Sequence, residues 1–401
     1  MSKRPRHFND QEIGEARRRR HRARRIPAWV YRTAAILLAA SLGLALWFNR
    51  DGLSPENIAS WVRENVVGSG TGDGYPVTIG GSQIYARNFR SQNGDAVFVS
   101  DTRLTVLNNT GAEKISRQHS FDFPILCLSG DRALIYNLGG KGYQLESSRE
   151  TVLRGTMEEN ILGGAIASNG HYALLTECAD YLGRLTVYTE QNEKQFEYRF
   201  SSCYPVAAAL NADATKAFVG GVYAQDGGLV SCLYLLDLTS SEAVSPAGSF
   251  AENVPLDAFF YSDGSAALVG DALTAVVDAS GAVSGYEYGG STLCAYAGGD
   301  GYTALCLSSY EGASGGRLVL LGPGGREERS FDVSGEPKAV SLYGNTAAVL
   351  AGGTVYAYSI ADGALFAQAD AGADALSLAL ADESSAYLLG VSEIRTVSLN
   401  G

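Results

Sequence analysis

Histidine is scarce in this chain: four in 401 residues, of which only His119 and His171 follow residue 21. A zinc centre or a histidine-based triad needs neighbouring ligands or partners that these two, far apart in sequence, do not have. Cysteine does not fill the gap. The six cysteines, Cys127, Cys178, Cys203, Cys232, Cys294 and Cys306, include no C-x-x-C pair, which removes the usual metal-ribbon and redox spacings. Proline is held to 10 residues against 48 glycines and 22 tyrosines. That mix disfavours helices and disorder and suits many short strands joined by tight turns. No cofactor is expected.

Positive charge is missing from most of the chain. The net charge is −12, yet residues 1–32 hold eleven of the 31 Lys/Arg and three of the 43 Asp/Glu, so residues 33–401 keep twenty against forty. A basic head and an acidic body face different surroundings. The acidic body excludes nucleic acid as its partner, because phosphates bind to positive surface.

Long hydrophobic runs are absent as well, with one exception. Ala28 to Phe48 is apolar apart from Arg32, and a helix of that length spans roughly 30 Å, the thickness of a bilayer core. Trp29 and Tyr31 lie at one boundary and Trp47 and Phe48 at the other, as amphipathic rings do at membrane interfaces. Seven arginines between Arg17 and Arg25 precede the span, while Arg50 and Arg63 alone follow closely. This asymmetry predicts a single-pass cell-membrane protein with a cytoplasmic N-terminus and an extracellular C-terminal body. A cleaved signal peptide is the rival, but Leu46-Trp47-Phe48-Asn49-Arg50 offers no small-residue cleavage site. The bilayer is thus a partner through residues 28–48, and anionic lipid head groups are partners of the arginine-rich tail. The expected organisation is a cytoplasmic tail (1–27), a transmembrane helix (28–48), a juxtamembrane helix with a glycine-rich linker (49–74) and one extracellular domain (75–401).

That domain repeats itself at a spacing of about 40 residues, the length of a propeller blade. A polar turn between two apolar strands recurs eight times: Gln92-Asn93-Gly94, Ser129-Gly130-Asp131, Ser168-Asn169-Gly170, Asn211-Ala212-Asp213, Ser262-Asp263-Gly264, Gly299-Asp300-Gly301, Tyr343-Gly344-Asn345 and Ala381-Asp382-Glu383. A third strand and a more polar fourth follow each. The pattern predicts an all-β fold, a single β-propeller of eight four-stranded blades. Seven blades is the alternative, since the first unit is irregular and the fourth stretched. The last unit stops after three strands, and "YPVTIGG", Tyr75 to Gly81, has no partner of its own. The N-terminal strand is therefore expected to complete the last blade.

The segments "LSPENIASWVRENVVGSGTGDGYPVTIGGSQIYARNF" and "YLGRLTVYTEQNEKQFEYRFSSCYPVAAALNADATKA" resemble an uncharacterised family of membrane-anchored clostridial proteins, a domain of unknown function with a propeller-like body. The resemblance runs from the anchor to the C-terminus and implies a Gram-positive cell-surface location. It brings no activity, substrate or catalytic residue.

Other apparent motifs reduce to structure. "GASGG", Gly312 to Gly316, has the G-x-S-x-G pattern but lies between strands, not at a strand-to-helix elbow. Three long inter-strand loops, 177–184, 222–231 and 308–316, belong to one face of a propeller, and each sets a tyrosine near an acid: Tyr181 with Asp180, Tyr223 with Asp226, Tyr310 with Glu311. Such a rim suits binding. Cys178 and Cys203 reach that same face and are candidates for a disulfide. The resulting expectation is a non-enzymatic module that binds an envelope protein or polymer. The alternative is an enzyme with its site at the central channel, which carboxylates in the channel would favour.

Overall fold

The computed structural model describes residues 72–400 apart from 81, 241–243, 300 and 311–313. The tail, the span and the juxtamembrane helix expected before residue 72 lie outside the described residues, among which no helix is long and apolar enough to cross a membrane.

Thirty-two strands form eight four-stranded antiparallel sheets. Blade 1 is Ile84–Gln92, Asp95–Ser100, Arg103–Leu107 and Glu113–Gln118, and blades 2 to 7 repeat that order along the chain. Each of the eight repeated turns falls between the inner strand of a blade and its second strand. At the first of them Asn93 and Gly94 have φ of 53° and 79°, the left-handed pair that a two-residue hairpin needs and that asparagine and glycine supply. The count is eight, and both irregular units have a cause. Unit four is long because its middle hairpin, Lys216–Gln225 with Gly228–Asp237, has ten residues on each side. Unit one is irregular because its inner strand bulges: Ile84 pairs with Ser100 and Phe89 with Phe98, so the inner strand carries three residues more than its partner.

Position in the blade dictates residue type. Second strands such as "TALCLS" (Thr303–Ser308) and "TAAVLA" (Thr346–Ala351) are buried along their whole length, because both of their faces meet neighbouring blades. Outer strands alternate, as in "TVLRGT" (Thr151–Thr156). Eight apolar clusters result, each joining consecutive blades. Leu185, Phe200 and Leu236 pack in the one between blades 3 and 4, and Phe89, Phe98 and Tyr387 in the one between blades 8 and 1.

Blade 8 consists of Ser377–Asp382, Ser385–Leu389 and Glu393–Ser398, and it takes its outer strand from Val77–Thr78 at the other end of the chain. The pairs are Val77 with Ile394 and Thr78 with Glu393, extended by the Ile79 N–H donating to Ser392 O at 3.0 Å. The closing strand is shorter than the expected Tyr75–Gly81 because Tyr75 is used otherwise. Its ring lies 5.4 Å from that of Tyr387, and its hydroxyl donates to Asn108 O at 2.9 Å. A second fastening joins blades 1 and 2. Asn88, fully buried, donates from Nδ2 to Pro124 O at 2.7 Å and accepts the Leu126 N–H at 3.1 Å.

The ring has two unlike faces. Turns between inner and second strands, and between third and outer strands, lie on one, the hairpin face. Turns between second and third strands, and the crossovers to the next blade, lie on the other, the crossover face. On the hairpin face Asp213, Asp237 and Asp278 accept hydroxyl and backbone donors from Thr215, Thr239 and Ser280, which hold their carboxyls below the usual range. The chain enters the ring on this face, with the Gly74 N–H donating to Thr110 O at 3.1 Å.

Three outcomes test this account. Asn88→Ala strands two backbone groups of blade 2 and should cost about 2–4 kcal/mol, read from the shift in urea unfolding. A chain starting at Ser82 bares the Glu393–Ser398 edge; it should unfold at lower temperature and self-associate in light scattering. Because the three aspartates have lowered folded values, the stability they contribute is complete above the ordinary carboxylate value of about 3.9 and is lost as pH falls through the folded values. Unfolding midpoints should therefore drop steeply in acid, and Asp278→Ala should flatten that drop.

Candidate functional site

The five rim candidates among the described residues lie in blades 3, 4 and 6. Asp180 sits in a two-residue turn between Tyr172–Cys178 and Tyr181–Tyr188, so the expected loop 177–184 is a tight hairpin in blade 3. Tyr181 is 41% exposed, with the Arg199 guanidinium 5.7 Å from its ring centre. Asp180 and Tyr181 line a shallow depression of about 340 Å³ with Ala179, Leu182 and Ser201. In blade 4 the expected loop 222–231 is instead paired strand, Tyr223 with Val230 through Gln225 with Gly228. The left-handed pair Asp226 and Gly227, with φ of 52° and 82°, lets the ladder run to the tip. Tyr223 is half-buried and packs on the cluster between blades 3 and 4, while Asp226 stands exposed at the tip. Tyr310, in blade 6, is 63% exposed; Glu311 lies outside the described residues.

All six cysteines are free thiols. Cys178 ends its strand at the hairpin tip, paired with Tyr181, whereas Cys203 is buried under blade 4 beside Cys232. A Cβ added at Gly221 would meet both sulfurs, at 2.5 and 3.1 Å. The thiol next to Cys203 is therefore that of Cys232, not that of Cys178.

What the crossover face does collect is apolar surface. Of the fourteen exposed large hydrophobic side chains among the described residues, ten lie there, including Phe123, Tyr181, Tyr204, Leu229, Leu256 and Tyr310. Three others are on outer strands, and Tyr343 alone is on the hairpin face. These ten side chains share one face but are distributed over blades 1 to 6 and 8.

Sequence reasoning named the central channel only as the site of the alternative enzyme reading and assigned no residue to it. The eight inner strands carry five charged side chains, Arg87, Arg90, Asp257, Lys338 and Asp382. Arg87 and Arg90 flank the buried Asn88–Phe89 pair on the bulged strand of blade 1, and both are exposed. Asp257 follows a smaller bulge in blade 5, where its Oδ1 accepts the Ala258 N–H at 2.9 Å. Burial lowers the Arg90 guanidinium against the opposing fields of Asp257 and Tyr296, and raises the Asp257 carboxyl against that backbone N–H, Arg90 and Arg87. Burial also pushes Cys127 and Tyr296 up to about 12 each, so both are protonated, neutral donors at physiological pH. Arg90 is thus surrounded by the inner strands yet wetted, as a side chain in a water-filled channel is. The missed signal was two arginines in "IYARNFRSQ", where sister strands read "ILGGAI" and "YPVAAAL". Among the described residues no group of three His, Cys, Asp or Glu is placed to hold a metal ion.

Solved structures share the fold at low identity. The C-terminal WD40 domain of Sif2 matches with a TM-score of 0.55 and 11% identity, covering 80% of this chain and 99% of that one. Sqt1 from Saccharomyces cerevisiae matches with 0.54 and 10%, covering 82% and 100%. A eukaryotic initiation factor matches with 0.53 and 9%, covering 82% and 88%. No curated protein matches the chain. A family model covers residues 76–399, from the closing strand to the last one, and by that match the chain belongs to DUF5711, a family of unknown function.

Proposed function

We propose that this chain is a membrane-anchored propeller of the cell surface that binds a protein through its crossover face. The observation that carries the reading is the concentration of ten exposed large hydrophobic side chains on that face. Protein interfaces draw on such aromatic and aliphatic anchors, and Tyr181, Tyr204 and Tyr310 each add contact area at small cost in side-chain entropy. The likeness to a WD40 domain supports the fold on which this surface is displayed. The chain enters the ring on the hairpin face.

The anchor rests on the sequence. The apolar stretch 28–48, the arginines before it and the acidic residues after it support a span with the N-terminus in the cytoplasm and anionic lipid at the arginine block. The likeness to clostridial surface proteins supports a Gram-positive envelope. The role is binding, not catalysis.

A photo-crosslinking residue at Tyr181, Tyr204 or Tyr310 in the native cell should give one shared protein adduct, and the same residue at Tyr343 or Asp278 should give none. Adducts from both faces, or from neither, would defeat the docking surface. Protease added to intact cells should degrade the propeller and spare the arginine-rich tail; an untouched propeller would overturn the orientation.

A further inference from the structure

In a ring of eight blades, side chains on opposite members meet only across the axis. Blades 1 and 5 are opposite, and the field of Asp257 in blade 5 reaches Arg90 in blade 1. Arg87 and Arg90 both act in return on Asp257. Cys127 on the inner strand of blade 2 and Tyr296 on that of blade 6 lie in the fields of the same three groups. Arg87 and Arg90, exposed on the inner strand of blade 1, therefore face Asp257 across the axis, while Cys127 and Tyr296 pack on the inter-blade clusters within their fields.

The charge there is unbalanced. Two guanidiniums share the channel with one carboxylate, and neither arginine has a carboxylate within 4.0 Å among the described residues. Arg90 makes one hydrogen bond, Nη1 donating to Phe89 O at 3.3 Å, and Arg87 makes none. Two arginines that repel each other inside a domain with 36 acids against 18 bases over residues 75–401 invert the local field. Low-dielectric walls focus that field along the channel.

Its construction is specific. A bulge re-aims the side chains it carries, and the bulge that holds Arg87 is the one with three extra residues. Asn88, next to Arg87 and two residues before Arg90, is locked to blade 2 by two hydrogen bonds. The backbone that carries both arginines is therefore fixed between them. Solvation alone requires no such clamp.

We propose that the channel binds one small oxyanion, the carboxylate or phosphate group of a solute, between Arg87 and Arg90. Guanidinium forks match both groups in geometry and charge. Asp257 limits how much negative charge is accepted, because each further charge on the ligand meets its repulsion. The site is separate from the crossover face and stands or falls without it.

The test is calorimetric titration of the full chain in detergent with inorganic phosphate and with citrate. Saturable binding of one equivalent is expected, and the stronger of the two probes identifies phosphate or carboxylate as the preferred group. Arg87→Gln and Arg90→Gln should each weaken binding by about tenfold, and Arg326→Gln, an exposed arginine on the hairpin face, should leave it unchanged. Asp257→Asn should tighten binding by about threefold, since it removes a repelling charge. No saturable binding of either probe, or equal affinity in the wild type and both arginine variants, would overturn the proposal. If the arginine variants fail to fold, Asp257→Asn decides alone: unchanged or weaker binding overturns the proposal as well.

Discussion

The structure depends on the removal of sheet edges. Each blade is a four-stranded sheet whose outermost strand meets solvent and whose flat faces are apolar, so no blade is stable or soluble by itself. Closing the ring gives every face a neighbour. The eighth blade is incomplete in sequence order, and Val77–Thr78 supplies what it lacks. Two paired residues and one further backbone bond hold the ends together, helped by Tyr75 against Tyr387. The eight inter-blade clusters exist because that join is made.

Closure also creates the one place where all blades meet. Eight strands converge on the axis, and those of blades 3, 4, 6 and 8 answer with two or three glycines and alanines each. Blade 1 answers differently, with a bulge, a buried asparagine and two arginines. Local disruption of a ladder thus produced both a two-bond link between neighbouring blades and a pair of exposed arginines on an inner strand. An irregularity that first reads as noise in the repeat is the part of the repeat with chemistry in it.

The fold was legible because its signals are local and repeated. Gln92-Asn93-Gly94 and its seven counterparts require the same backbone turn each time, and runs such as "TAAVLA" announce a strand buried on both sides. The rim was less legible. Loop length in sequence does not separate an irregular loop from a hairpin that keeps pairing, and Asp226-Gly227 turned a predicted loop into ladder. Tyr223 was misjudged for the same reason, since pairing carries it back toward the core. The channel was invisible to motif reading because its groups come from blades 1, 2, 5 and 6, separated in sequence by whole repeats and joined only by closure. The Cys203 and Cys232 neighbours were hidden likewise, by the bend that tucks one strand end under its own blade.

The point of entry has a mechanical corollary. The chain leading into the ring continues directly into Val77–Thr78, the strand that fastens the last blade. Tension on the N-terminal side of Gly72 is therefore delivered to the shortest strand in the molecule, and what resists it is the Gly74–Thr110 bond, the Tyr75 contacts and two ladder pairs. A pull from that end would strain the clasp of the ring before it strained any complete blade.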